Sequence, residues 1–502
     1  MFPPKGRFAA ALTACVMFCP ASAAQAREVL VVSGKAVAKR DYRFVPAPGT
    51  ADLGPEPRAF VRAASPVIAR AATARGGRAV SKAIRKARVK QRISRSTARR
   101  YNRIHKLARG RYARLGATRK RELGGVIANL ESVALRGQLT APRMPALFLI
   151  VRRNAEFWPR SPLPASGGYI TFRRSELLFE YYPGEGLQLQ PLVNFKKANA
   201  LHGACVKGDA PCRKRGLKLL LREMVRTSAR RGGFRAWEYY FDFGGGSPPW
   251  ISGMATATGI QAFGRASQLL GIDRYRAYAR QSFRAFGTPP PVGVATSGPL
   301  GGTHYLQYSF APRLYIINAL LQTVIGLYDY AEITGDKAAE RLYGRAEPTA
   351  RRELPRNDTG DWSTYSFGGA ESTREYHELL RELAASLCSR LDTKAYCGAA
   401  RNFRSYTTKP ARLELLGPEV ATKGRDARVR FSLSKLSAVQ LTISRAGKVV
   451  YDRTVTLRRG EQAFIWKPRS AGEHTIRLAA KELRTGRALR SRESAPVNVA
   501  AR

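Results

Sequence analysis

The stretch Gly302-Thr303-His304-Tyr305-Leu306-Gln307-Tyr308-Ser309-Phe310 holds a histidine, a glutamine and two tyrosines, and no carboxylate. Glycine- and proline-rich flanks, PPPVGVATSGPLG before it and AP after it, set it off. A run this aromatic is either core packing or the wall of a site. A second such piece, WEYYFDFGGGSPPWISGMA, carries Trp250. Standard chemistry is mostly excluded. FGGGSPPW is glycine-rich, but no Gly-Lys-Ser/Thr follows, and Pro248-Pro249 lack the backbone amides that a phosphate cradle needs. There is no Gly-x-Ser-x-Gly elbow. His105, His202, His304, His377 and His474 stand at no zinc-binding spacing, so no metal site and no cofactor are expected. Clefts lined with aromatic side chains suit sugars as well as packing.

The elements that would hold these residues are mainly helical. Leu314, Ile317, Leu321, Val324 and Tyr328 recur at spacings of three and four, which predicts a helix over 312–332. Tyr376, Leu380, Leu383 and Leu387 share one face of a helix expected from Ser372 to Cys388, so Tyr376 points inward. KRGLKLLLREMVRTSARR is amphipathic. GMATATGIQAFGRASQLLG ends at Gly271, a fitting C-cap, and DRYRAYARQSFRAF follows after a short link. Repeated helices with short links predict helical hairpins arranged around a centre. Upstream, ALFLIVRRNAEFW and YITFRRSELLFEYYPGEGLQLQPL read as short strands with turns at Gly167-Gly168 and Pro183-Gly184. Past Lys409-Pro410 the period becomes alternating: Val429, Phe431, Leu433; Val439, Leu441, Ile443; Phe464, Trp466; Ile476, Leu478. That pattern predicts a small β-sandwich of the immunoglobulin-like class, an accessory module. The expected fold class is α+β and multidomain: a β-rich segment, an (α/α) helical toroid, and the C-terminal immunoglobulin-like β-sandwich.

The chain has 502 residues, 87 Lys+Arg against 36 Asp+Glu, and a formal charge of +51. Such an excess points to a polyanionic partner: nucleic acid, anionic lipid or cell wall, or an acidic polysaccharide. From Arg70 to Arg121 there is no Asp or Glu at all. Apolar residues there are sparse, so residues 69–121 read as solvated basic helix or disorder, and residues 27–68 as a poorly ordered Pro/Gly-rich leader. The N-terminus, with Lys5 and Arg7, an apolar run from Phe8 and then Ala24-Gln25-Ala26, has the pattern of a secretory signal cleaved near Ala26. A secreted or cell-envelope location follows and argues against nucleic acid. Cleavage removes Cys15 and Cys19. The remaining cysteines are spaced for two local bridges, Cys205–Cys212 and Cys388–Cys397. The expected division is 1–26 signal, 27–144 leader and basic region, 145–400 catalytic domain and 410–500 sandwich.

Several segments carry a resemblance. PALFLIVRRNAEFWP, LFEYYPGEGLQLQPLVNFKKANAL, FDFGGGSPPWISGMA, YSFAPRLYIINALLQTVIGLYDYAEITGD, DTGDWSTYSF and EYHELLRELA resemble, in that order, the D-glucuronyl C5-epimerase family over about residues 145–395. The resemblance implies a β-rich part joined to an (α/α) toroid. It also implies inversion at C5 of glucuronate units in a heparosan-like polysaccharide. The family's catalytic tyrosines match Tyr308, Tyr365 and Tyr376. Gln307 stands where the family has a glutamate, and it can hydrogen-bond a sugar but cannot act as a base. Where the family has an arginine soon after the second tyrosine, this chain reads FGGAES; Arg313 and Arg374 are the candidate replacements. Gln307, Trp250, Arg313 and Arg374 are thus the expected substrate-binding residues.

The same C5 carbanion could expel the C4 substituent, which leaves a uronate lyase as the alternative. A non-catalytic envelope protein binding anionic polymer is the other. Envelope association through the basic region and a homodimer stay open as further modes of association. Each reading predicts that binding of an anionic polysaccharide weakens as ionic strength rises, because exposed charges are screened within about 8 Å at physiological salt. Affinities that stay flat from 50 mM to 500 mM salt, roughly the range over which screening acts, would remove the polyanion argument.

Overall fold

The computed structural model describes residues 27–34, 36–42, 73–208 and 212–501. The expected signal segment, 1–26, and most of the expected leader lie outside the described residues. The first part of that leader is strand. β1 (Arg27–Ser33) and β2 (Ala36–Tyr42) form an antiparallel hairpin, and β1 runs parallel to β3 (Tyr169–Phe172). β4 (Phe179–Tyr182) and β5 (Gly186–Leu189) complete a sheet in the order β2-β1-β3-β4-β5. Val29, Leu30 and Val32 are buried. They cover what would otherwise be an open edge of β3.

The basic block differs from the expectation of a solvated helix or disorder. It forms α1 (Ala74–Val89), α2 (Arg95–Arg114) and the start of α3 (Ala117–Leu135), packed on the main core. Its apolar stripe is narrow but regular: Val80, Ile84 and Ala87 on α1; Ala98, Tyr101 and Ala108 on α2. Alanine serves here as a core residue because the helices approach closely. A buried carboxylate on α3, Glu131, accepts from the Thr73 amide at 2.8 Å and from Arg109 Nη1 at 2.6 Å, and lies 3.5 Å from His105. The segment expected as a strand, ALFLIVRRNAEFW, is also helical: α4 (Met144–Phe157). An unbroken apolar run does not separate helix from buried strand. Here Pro145 in the first turn and fourteen residues of length decide for helix.

The rest of the helical part is an arc of hairpins. α5 (Pro191–Val206), α7 (Gly253–Leu270), α9 (Ile317–Thr334) and α11 (Arg374–Leu391) pack side by side as an inner row. α6 (Lys214–Thr227), α8 (Arg274–Arg280), α10 (Lys337–Glu353) and α12 (Lys394–Tyr406) each fold back on the inner helix before them. Burial follows position: α7 and α9 are buried round most of their circumference, α6 and α10 on one face. Two hairpins interrupt the row, β6 (Ala229–Arg231) with β7 (Phe234–Ala236), and β8 (Ala295–Ser297) with β9 (Thr303–Tyr305). Cys205 is bonded to Cys212 and Cys388 to Cys397, the second bridge joining α11 to α12. No helix among the described residues is long and apolar enough to cross a membrane.

From Leu413 the chain forms two facing sheets. β10 (Leu413–Gly417), β12 (Ala427–Leu433) and β15 (Gly460–Trp466) make one. β11 (Val420–Thr422), β17 (Arg490–Ala500), β16 (Gly472–Glu482), β13 (Ser437–Arg445) and β14 (Lys448–Leu457) make the other, in that order. The alternating residues Val429, Phe431, Val439, Leu441, Phe464, Trp466, Ile476 and Leu478 all lie in the core between the sheets.

One carboxylate links the whole inner row. Asp329 on α9 accepts from Arg390 Nε of α11 at 2.6 Å, from Arg265 Nη2 of α7 at 2.7 Å, and from Gln261 Nε2 of α7 at 2.7 Å. Gln261 in turn accepts from Asn199 of α5 at 2.9 Å. Burial opposes the charge of Asp329, but the Arg390 hydrogen bond and the two guanidinium charges outweigh it and hold the carboxyl below the usual carboxylate range. Removing one member of such a buried set leaves the other charges uncompensated, at a cost of roughly 3–5 kcal/mol. Asp329→Ala is therefore expected to lose about that much stability in urea melts at pH 7. Its folded pKa is depressed, so the contribution is present above the unfolded carboxylate value and is lost as pH falls below it; the gap between parent and variant should close in acid.

Candidate functional site

The aromatic stretches meet at one end of the inner row. A buried cluster contains Tyr239, Phe241, Trp250, Tyr308, Tyr365 and Tyr376, with Leu192 of α5, Met254 and Ala255 of α7, and Ala319 of α9. Each of these helix residues lies near the N-terminus of its helix. The four inner helices therefore run parallel, with their N-termini toward the tyrosines. Asp329 lies ten residues beyond Ala319 on α9, ~15 Å along the helix.

Glu238 sets the aromatic wall. This buried carboxylate accepts from Arg143 at 2.7 and 2.8 Å, from Arg231 Nη1 at 2.8 Å and from the Tyr240 hydroxyl at 2.9 Å. Arg231 also donates to the carbonyls of Pro249 at 3.0 Å, Pro291 at 2.6 Å and Val292 at 2.8 Å. It thereby ties the loop before Trp250 to the loop before β8. Tyr239 and Trp250 then exchange backbone hydrogen bonds and stack at 4.0 Å with an interplanar angle of 2°. Trp250 Nε1 donates to the Phe241 carbonyl at 2.9 Å. Trp250, expected as a substrate-binding residue, is 1% exposed and has one face stacked on Tyr239.

Tyr308 lies against this wall, edge-on to Trp250 at 5.8 Å and stacked on Phe310 at 5.3 Å. Two glycines permit the approach. A Cβ on Gly246 would fall 2.3 Å from the Phe310 ring, and one on Gly253 2.5 Å from the Leu306 carbonyl. The run of glycines in FGGGSPPW thus admits an aromatic ring. The opening stretch divides between core and site. Tyr305 donates to Leu342 at 2.9 Å, and His304 Nδ1 lies 2.8 Å from Glu353 Oε2, both directed to α10. Gln307 is buried between them and Tyr308.

Tyr365 and Tyr376 meet edge to face at 5.0 Å. Tyr376 sits in the first turn of α11, capped by Thr373, and its carbonyl accepts from Asn318 of α9 at 3.3 Å. The loop carrying Tyr365 is held to the segment before α9 by the Phe367 amide, which donates to Tyr315 at 3.0 Å. Beneath it Trp362 stacks on His377 at 3.9 Å. His377 Nε2 faces the Phe403 carbonyl at 2.9 Å and must donate to it, so Nδ1 accepts from Ser363 Oγ at 2.8 Å. Burial lowers the His377 pKa and keeps this ring neutral.

Arg313 and Arg374 are not among the buried residues around the tyrosines. Both are exposed. Arg374 instead reaches toward the sandwich, where a Cβ on Gly486 would lie 3.4 Å from its Nη1. Residues not singled out in the sequence lie nearer. Tyr182 accepts from Gln190 at 3.2 Å, and Gln190 accepts from Tyr239 at 2.9 Å. Burial, then the neighbouring Glu180 charge, pushes the Tyr182 phenol well up, so it is a proton donor. Glu180 and Tyr182 alternate along β4 and Gln188 pairs with Glu180 on β5, a period-two polar face that FEYYPGEGLQLQP does display. The one His/Cys/Asp/Glu group at ligand spacing among the described residues is Cys388, Asp392 and Cys397, and its two sulfurs are bonded to each other.

Residues 231–405, which hold every one of the matched tyrosines, fit the family model described as D-glucuronyl C5-epimerase C-terminus. The match starts at Arg231, the residue that fastens the Trp250 loop. An uncharacterized protein of Methanocaldococcus jannaschii is 25% identical over 166 residues, 32% of this chain and 54% of that protein. The D-glucuronyl C5-epimerase of Caenorhabditis elegans is 26% identical over 132 residues, 24% of this chain and 21% of that protein. The chain thus spans about half the length of the first of these relatives and a fifth of the second. Among solved structures, the endo-β-1,4-glucanase CMCax of Acetobacter xylinum overlaps 48% of this chain and 76% of its own at 11% identity and a TM-score of 0.33. A sugar epimerase from a ruminal bacterium overlaps 43% of this chain and 58% of its own at 11% identity and a TM-score of 0.30. At these TM-scores the overlap is slight, and the architecture stands on the chain's own packing.

The wall of the matched region is expected to be sensitive at Gly246. Gly246→Ala must push the Phe310 ring off Tyr308, an overpacking cost of about 1–3 kcal/mol. Gly244→Ala in the same loop meets no atom within 4 Å, but its φ of 52° makes it a strain-only control. The Gly246 variant should lose more stability in thermal melts and should alter near-ultraviolet circular dichroism from the stacked rings.

Proposed function

We propose that the protein is a uronate C5-epimerase-like enzyme acting on glucuronate units of an acidic, heparosan-like polysaccharide. The observation that carries this reading is that three tyrosines from separate elements converge where four helix N-termini open. The C5 hydrogen is α to a carboxylate and only weakly acidic. Removing it breaks the C5–H bond and moves the electron pair into the carboxylate as an enediolate. Inversion then needs a proton delivered to the opposite face of C5. Tyrosine, with a reference pKa of about 10, can donate when neutral and accept as phenolate. Tyr365 and Tyr376 form one acid–base unit, and Tyr308 stands against the other wall. Positive ends of α5, α7, α9 and α11 face the developing negative charge, and α9 has no side-chain cap of its own. Gln307 binds sugar hydroxyls rather than acting as a base.

The C-terminal sandwich is read as immunoglobulin-like on its three-plus-five strand arrangement. The basic faces of α1 and α2, with exposed Lys82, Lys86, Arg99 and Arg103, are read as the surface that associates with envelope polyanion. A secreted or envelope location belongs to the same proposal.

The test is incubation with glucuronate polymers in D₂O. Deuterium is expected at C5, and Tyr308→Phe, Tyr365→Phe and Tyr376→Phe should each cut its incorporation about 10²–10⁴-fold. No incorporation across several uronate polymers removes the epimerase. Absorbance of an unsaturated uronate, with cleavage at C4, would establish a lyase instead.

A further inference from the structure

The loop from Asp358 to Ser372 has two sides. Thr364 and Glu371 face each other across an isolated antiparallel bridge. Backbone alternation directs neighbouring side chains to opposite faces, so Tyr365 points into the aromatic cluster and Glu371 points away from it. What lies behind is the C-terminal sandwich. Glu371, buried, is met by Arg459 Nε at 3.6 Å and Arg484 Nη2 at 3.4 Å. Asp361, also buried, is met by Arg412 Nε at 2.7 Å. Lys435, on the turn between β12 and β13, is itself buried. It lies 5.9 Å from the Trp362 ring centre and donates to the carbonyls of Tyr406 at 2.8 Å and Lys409 at 2.7 Å. The sandwich has a core separate from that of the helices. It touches the helical part with basic side chains at the two carboxylates that flank the tyrosine.

We propose that the sandwich is a clamp: Arg412, Arg459 and Arg484 hold the back of the Asp358–Ser372 loop and so fix the position of Tyr365 opposite Tyr376. These three are positioning residues, since none faces the aromatic cluster. The clamp explains why the loop can carry a tyrosine between glycines at 360, 368 and 369 and still present it in one orientation. The catalytic part of the inference rests on the epimerase reading; the mechanical part does not.

The test uses the full chain with Arg412→Gln, Arg459→Gln and Arg484→Gln combined. All three are surface or half-buried side chains outside both cores, so both domains should remain folded, checked by far-ultraviolet circular dichroism. Hydrogen exchange reports the loop directly: the amides of Tyr365, bonded to Ala370, and of Ser372, bonded to Ser363, should exchange at least about 10-fold faster while α7 and α9 keep their protection. Unchanged exchange at Tyr365 and Ser372 overturns the clamp, whatever the protein's activity. With an active parent, kcat for C5 exchange should fall about 10- to 100-fold at nearly constant KM, because a misplaced group costs rate rather than binding. A loosened loop with kcat unaltered would also overturn the positioning role. If the parent exchanges no C5 hydrogen at all, the epimerase reading fails and the amide measurement alone decides the clamp.

Discussion

Acid is the scarce component of this chain, and the fold depends on where its buried carboxylates sit. Asp329 is the clearest case, joining α7, α9 and α11 directly and α5 through Gln261. Glu176, Glu238 and Glu371 repeat the pattern, each meeting two cations, and Glu131 meets Arg109 beside His105. Burying a carboxylate costs several kcal/mol, and one partner rarely offsets it. At Asp329 two guanidinium groups outweigh burial, whereas at Glu371 burial still raises the carboxyl pKa against Arg484 and Arg459. With basic residues in such excess, these buried carboxylates recruit cations from different elements and act as joints between them.

These joints divide the labour around the tyrosines. Asp329 sets the parallel inner helices at the end away from the site. Glu238 fastens the Trp250 wall through Arg143, which precedes α4, and Arg231 of β6. Glu371 and Asp361 secure the loop behind Tyr365 to the sandwich. Rings, glycines and backbone bonds shape the cluster, and charge pairs around it set its frame.

The absence of a carboxylate beside Tyr308 looks different in this light. The stretch around it serves two masters: His304 and Tyr305 bind α10, and Tyr308 faces the cluster. A carboxylate does lie in the neighbourhood, Glu180, but it arrives from β4, more than a hundred residues earlier, beside Tyr182 and Gln190. The alternation in FEYYPGEGLQLQP makes one face of the β4–β5 pair polar.

Periodicity was enough to read α6, α9 and α11, and the strands of the sandwich, from the spacing of their apolar residues, and the Gly271 cap marked the end of α7. The same rule misassigned α4, where the unbroken apolar run ALFLIV hides the period. It also misassigned α1 and α2, where alanine and tyrosine give a stripe too thin to register. The motifs by themselves singled out Tyr308, Tyr365 and Tyr376. Only the tertiary structure decided that these three share one cluster, that Trp250 stacks on Tyr239, and that Arg374 reaches toward the sandwich. The reason is physical: residue type and spacing encode a local preference, whereas a site assembled from separate helices and loops depends on the ion pairs and close backbone approaches that set those elements side by side.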